Sequence, residues 1–254
     1  MEASVLLIPA LLGAGAIGTG LARGHQALKL IRLLDARSTS VAELLDLQRT
    51  VSEQMGAGSF SERVKLSGDI VCTEPLTAPW SGEPCVAFSD ITTALLEVRE
   101  ERTTTDSTGN RRTEVHWERR EEILSRLERR CSFEMRQGQQ SLRLDPEGAE
   151  LELEPVFSEV VPTSSSDTFN TRQLGIRREE AVFRPTGMAF VVAECSDASG
   201  TLTLEAPSGG GMFVVRRGSE AEFSRNIRRW QRIWTVSTWI LTLAAALSVL
   251  LIVF

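Results

Sequence analysis

Two long uncharged runs stand at the ends of the chain, 3–22 (ASVLLIPALLGAGAIGTGLA) and 235–254 (TVSTWILTLAAALSVLLIVF), and the apolar pattern between them is short-ranged. As helices rising about 1.5 Å per residue, both runs are long enough for the roughly 30 Å hydrocarbon layer of a bilayer. After the first run, "LKLIRLLDAR" reads as a helical continuation. In "STSVAELLDLQRTVSEQMGAG", Val41, Leu44, Leu45, Gln48 and Val51 recur at helical spacing. Ser40-x-x-Glu43 reads as a capping box there and Gly56 as a stop, so the segment predicts an amphipathic helix of about four turns. From Arg63 onward the apolar period falls to two. "RVKLSGDIVC", "CVAFSDITTALLEVREERT", "RRTEVHWERREE", "SFEM", "SLRL", "AELELEPVFSEVV", "RREEAVFRPTGMAFVVAECSD", "GTLTLEA" and "GMFVVRR" read as strands. Turn chemistry separates them at Asp106–Asn110, Arg136–Gln140, the polar "TSSSD", "DASG" and "PSGGG", which is expected to be a hairpin loop. Gly68 is expected at a bulge or bend, and Glu121–Arg130 is open between a short helix and a strand. About ten short strands with regular punctuation predict a mainly β (α+β) chain: a small antiparallel barrel or sandwich between two transmembrane helices.

Charge sharpens the reading of the ends. Arg23, Lys29 and Arg32 follow the first run, whereas Glu2 is the only charge before it, so the run is expected to be a retained anchor and not a cleaved signal. Before the second run come Arg225, Arg228, Arg229 and Arg232 with Trp230 and Trp234, the residue types that collect at a membrane interface. Both runs carry their cations on the side facing the middle of the chain. The positive-inside rule then predicts a two-pass protein of the inner or cytoplasmic membrane, its termini outside and its body in the cytoplasm. The net charge is −6; removing the +3 of 23–32 and the +4 of 225–232 leaves −13 on the rest. An acidic body argues against nucleic acid as a partner. The expected partners are the bilayer and another protein, a second copy included. Ala10, Ala14, Gly18 and Ala22 form a small-residue face in the first run, expected to pack on Ala244 and Ser248 of the other anchor or on a second copy.

Candidate chemistry is sparse. Cys72, Cys85, Cys131 and Cys195 have no framework spacing, and with His25 and His116 as the only histidines no metal site and no cofactor are expected. Cys85 ends "PWSGEPC" and precedes the apolar "VAF". A nucleophilic thiol would need a base such as His116 beside it. Prolines at 79 and 84 fix φ and Gly82 admits a turn, so the stretch reads instead as a stiff turn carrying a buried cysteine, with no catalytic residue assigned.

The stretch "VKLSGDIVCTEPLTAPWSGEPCVAF" resembles the start of the GIDE, or "beside a membrane", domain. That domain lies between two membrane helices in mitochondrial membrane-anchored ubiquitin ligases and in bacterial relatives. The motif residues here are Pro79, Ser81, Gly82, Pro84 and Cys85. "CSFEMRQGQQSLRLDPEGAELE", with Pro146, Gly148 and Ala149, and "GIRREEAVFRPTGMAFVV", with Arg177, Glu180 and Gly187, are similar to two further family blocks. In the ligases a RING follows the second helix, whereas this sequence ends at Phe254, so the resemblance implies a bacterial-type relative lacking the RING. The division expected is transmembrane helix 3–22, amphipathic segment 23–56, GIDE-like β domain 57–222, basic segment 223–234 and transmembrane helix 235–254. The function expected is that of a membrane-anchored, non-enzymatic interaction module. The alternatives are a ligase-like protein that takes a RING from a partner, and a hydrolase using Cys85 and His116.

Overall fold

The computed structural model describes residues 18, 21, 36–105, 111–163 and 170–253, with backbone alone at 102–105, 112 and 248–253. The first apolar run, the segment 23–35 and the turns at 106–110 and 164–169 lie outside the described residues, except Gly18 and Leu21, both helical and exposed. In chain order the elements are β1 (Arg37–Ser38), α1 (Val41–Met55), β2 (Ser61–Val71), β3 (Leu76–Thr77), β4 (Pro84–Cys85), β5 (Ala87–Thr105), β6 (Arg111–Arg130), β7 (Phe133–Gln137), β8 (Gln140–Leu144), β9 (Glu150–Leu151), β10 (Glu154–Pro162), β11 (Thr171–Phe183), β12 (Met188–Ser196), β13 (Thr203–Glu205), β14 (Val214–Arg217) and α2 (Glu220–Val253). They fall into two compact units, residues 1–70, 134–150 and 188–254 in one, and 71–133 and 151–187 in the other.

The first unit is built on a closed five-stranded barrel, β2-β7-β8-β13-β12 and back to β2, with β1, β14 and β9 added at its margins. β12 is buried almost throughout, so both of its faces are covered. Register shows how. Val191 stands opposite Leu66 and Ala193 opposite Val64, pairs that share one face; Phe190 and Val192 take the other. That other face receives α2: Phe190, Val192, Val214, Phe223 and Ile227 form one buried cluster, and the Phe190 and Phe223 rings lie 5.4 Å apart. Lys65, beside Val192 in the register, reaches Glu220 at the start of α2 at 2.9 Å. A second Ser-x-x-Glu box, unremarked in the sequence, starts this helix: Ser219 N donates to the Glu222 carboxylate at 2.9 Å and Glu222 N donates to Ser219 Oγ at 3.4 Å. At α1 only half of the expected box forms. Glu43 N donates to Ser40 Oγ at 3.2 Å, but the Glu43 carboxylate accepts from Thr39 Oγ and pairs with Arg37.

Several expectations are corrected here. The barrel is not wholly antiparallel, because β13 runs parallel to β8; at its margin β1 also runs parallel to β2. Gly68 is no bulge; it pairs in unbroken register with Ala189, and its lack of a side chain serves close packing, since a Cβ there would lie 2.8 Å from the carbonyl oxygen of Arg136. The "PSGGG" segment closes no hairpin. β13 and β14 pair with successive stretches of β12, and the glycine loop carries the chain from one to the other. Glu121–Arg130, open between helix and strand in the sequence, is strand, the last part of β6, because pairing along β5 overrides its helical spacing. Among the described residues no helix is long and apolar enough to cross a membrane, so the expected pair of transmembrane helices finds no support there.

The second unit is a four-stranded antiparallel sheet, β10-β11-β5-β6, with β3 and β4 forming a separate small hairpin. β5 and β6 are 19 and 20 residues long and pair along their whole lengths. The core of this unit lies at the base of that hairpin, where Ala78, Cys85, Phe88 and Val182 pack together.

Candidate functional site

The turn between β3 and β4 is the most highly organised polar site of the second unit. Leu76 pairs with Cys85 and Thr77 with Pro84. Ala78 N donates to Glu83 O at 3.0 Å and Gly82 N to Ala78 O at 3.1 Å, closing a tight loop. Gly82 sits at φ 70°, a left-handed conformation that a side chain would strain. The loop folds onto Glu180 of β11, a carboxylate only 1% exposed. Trp80 N donates to its Oε2 at 2.8 Å, Ser81 N to its Oε1 at 3.0 Å, and Ser81 Oγ donates to Oε1 as well. Three donors thus satisfy one buried charge, as burial of a carboxylate requires.

This clamp presents Trp80. The residue is 41% exposed, and its ring stacks on Phe157 at a centroid distance of 6.2 Å and carries the Arg178 guanidinium 4.5 Å from its centre. Arg184 ties the base of the loop down through Glu83 at 3.2 Å and Glu154 at 3.3 Å. Opposite Glu180 in the register stands Asp90, also buried, whose Oδ1 has no hydrogen-bond partner among the described residues.

Cys85 and Cys195 are buried and inert by placement. Cys85 is fully buried and its Sγ–H points to Leu76 O at 3.6 Å; burial, helped by the Glu180 charge, pushes the thiol up to about 11. Burial likewise raises Cys131 to about 11 and Cys195 to about 12. Cys72 and Cys131 are neighbours, their sulfurs 3.9 Å apart. His116 is exposed on β6 and contacts Glu114 at 3.4 Å. Cys131 N bonds Val86 O, next to Cys85, so His116 is roughly 45 Å farther out along the hairpin at a strand's rise per residue. Cys85 and His116 therefore form no catalytic pair.

The residues singled out in the sequence divide accordingly. Pro79, Ser81, Gly82, Pro84, Cys85 and Glu180 come together in the clamp. Arg177, on the opposite face of β11, pairs instead with Glu121 of β6. Gly187, at φ 100°, belongs to the turn that follows β11. Arg225, Arg228, Arg229 and Arg232 line α2 with Trp230 and Trp234, whose rings stack 6.3 Å apart. Ala10, Ala14 and Ala22 lie outside the described residues, and a Cβ on Gly18 would meet nothing described within 4 Å. Sequence reasoning missed Trp80, Phe157 and Arg178; the one available signal was a tryptophan directly after Pro79 in a turn. Among the described residues no three His, Cys, Asp or Glu side chains are grouped to hold a metal ion.

A sequence model of the GIDE family, described as E3 ubiquitin ligase, matches residues 100–251. The match takes in Arg177, Glu180 and Gly187 and begins after the Pro79–Cys85 loop. No curated protein and no solved structure matches the chain. With more than half of its length accounted for by that one model, the chain belongs to the GIDE family.

Proposed function

We propose that the protein is a membrane-anchored, non-enzymatic interaction module, two-pass, with its GIDE body facing the cytoplasm and an aromatic loop offered to a protein partner. The observation that carries the membrane part is the character of α2. Its first turns bury Phe223 and Ile227 on the barrel, its middle carries four arginines and two tryptophans, and beyond these Trp239, Ile240, Leu243 and Leu247 are exposed, Leu243 at 75%. An apolar helix end standing in water is unfavourable, and a bilayer is an environment that covers it. Cations and tryptophans at its base are the chemistry of an interface, and their side of the apolar run favours a cytoplasmic body. Trp80 with Arg178, held by a rigid turn, supplies the residue types that dominate protein–protein contacts.

A second reading, a ubiquitin-ligase-like protein working with a RING-bearing partner, draws on the description of the family itself. Alkaline carbonate extraction of native membranes tests the first reading: the protein should stay in the pellet, and release into the supernatant would refute the anchor. Cross-linking in those membranes followed by identification of the captured proteins separates the two. A RING protein joined to the Trp80 loop favours the second.

A further inference from the structure

The strand β6 is an edge of the four-stranded sheet, 20 residues long and exposed along almost its whole length, with Ile123 at 56% and Leu124 at 53% exposure. Charged side chains and the irregularity at Leu124 guard this edge against arbitrary strands, yet its outward row of backbone N–H and C=O groups can still pair with a strand whose charges match. We propose that the occupant is β6 of a second copy, paired antiparallel about a twofold axis at Ile123 and Leu124, so that two sheets join into one.

Register selects this partner. Residues that face each other across an antiparallel pair must point to the same side of the sheet, so on a regular strand only residues an even distance apart can meet their counterparts about a twofold. β6 is not regular. Thr92 pairs with Ser125 and Thr93 with Ile123, which leaves Leu124 as an extra residue that reverses the alternation. Residues on either side of Leu124 therefore oppose one another at odd separations. With the axis at Ile123 and Leu124, Glu118 faces Arg129, Arg119 faces Glu128 and Glu121 faces Arg126, each pair twice, and Ile123 meets Leu124 at the centre. No like charges meet between 117 and 130. Sliding the copies by two residues either way brings Arg119 onto Arg126, or Glu121 onto Glu128 and Arg120 onto Arg129. One register is attractive and its neighbours are repulsive, which is how cross-strand charges set strand pairing.

The pairing names one partner for the interaction module proposed above, yet its geometry is independent of membrane attachment, so carbonate extraction and the following test fail separately. The test is the mass of the full chain purified in detergent, measured by light scattering with the detergent subtracted. The wild type should have twice the 28.0 kDa chain mass. R126E/R129E and E118R/E121R each set like charges against themselves, and each should weaken self-association by roughly a hundredfold or more, from several cross-strand pairs reversed at once. Mixed together they face opposite charges, and the dimer mass should return. A monomeric wild type overturns the proposal without any variant. So does dimer mass in either variant alone, or a mixture that stays monomeric while both variants keep the wild-type circular dichroism.

Discussion

Replacing Glu180 with glutamine tests the claim that one buried carboxylate holds the Trp80 loop in place. Trp80 N, Ser81 N and Ser81 Oγ all donate to it. A hydrogen bond to a charged group contributes about 1.5–3 kcal/mol net, a neutral one about 1 kcal/mol. The glutamine side chain keeps one oxygen, which still accepts from Ser81, but its amide N–H₂ confronts the Trp80 N–H, donor against donor. One charged bond is lost and two are weakened, so Glu180→Gln should cost about 3 kcal/mol. Ser81→Ala removes the hydroxyl bond to Glu180 and the bond that Ser81 Oγ accepts from Glu83 N at 3.3 Å, and should cost about 2 kcal/mol; the double variant should lose less than the sum, because both changes act on the same Ser81–Glu180 bond. The assay is equilibrium unfolding in guanidinium followed by circular dichroism, with amide hydrogen exchange at Trp80 and Ser81 as a local reporter. A stability change below about 0.5 kcal/mol, or unchanged exchange at those two amides, refutes the clamp.

Gly68→Ala should cost about 2 kcal/mol, read as a lower unfolding midpoint, because its Cβ meets the backbone carbonyl of Arg136 and neither side can yield. Asp90→Asn should stabilise by about 0.5–1 kcal/mol in the same unfolding assay, since it removes a like charge facing Glu180 across the sheet. A maleimide probe at neutral pH should leave Cys85 and Cys195 unlabelled in the native protein and reach all four cysteines after denaturation, because burial holds these thiols at about 11 and about 12. Labelling of native Cys85 at the rate of a free thiol would contradict this. Acid should destabilise the first unit. Gln48 and the backbone N–H of Phe60 hold the Asp197 carboxyl below its ordinary range, and Ser61 with Ser208 does the same for Glu194. Each is a depressed carboxylate, so its contribution is intact above the ordinary carboxylate value of about 4 and is lost as pH falls toward the lowered one. Asp197→Asn should flatten that acid limb in a pH series of unfolding midpoints, and an unaltered limb counts against the role given to Asp197.

The parts of this fold that were legible in the sequence are those whose cause is local. Ser40 and Gly56 bound α1 because a cap and a positive φ act on their own turn. The stiff turn with a buried cysteine followed from Pro79, Gly82 and Pro84 in the same way. What escaped depended on contacts distant in sequence. Glu180 was singled out, but nothing near it says that the amides of residues a hundred positions earlier would bind it. Gly68 looked like a bend because the approach of Arg136 leaves no trace in the residues around it. Glu121–Arg130 spaced its apolar residues as a helix would, and only β5 alongside made it a strand.

By itself, then, the sequence determined the mainly β character, the turns at 136–140 and 197–200, the capped α1, the basic aromatic segment before the terminal apolar run and the family, all consequences of residue type and short-range order. The closing of five strands into a barrel, the parallel partner that β13 finds in β8, the Trp80 clamp and the extra residue at Leu124 were decided by tertiary structure alone. Each depends on which strand lies beside which, and strand pairing is fixed by burial and register across the whole chain, which the order of neighbouring residues does not encode.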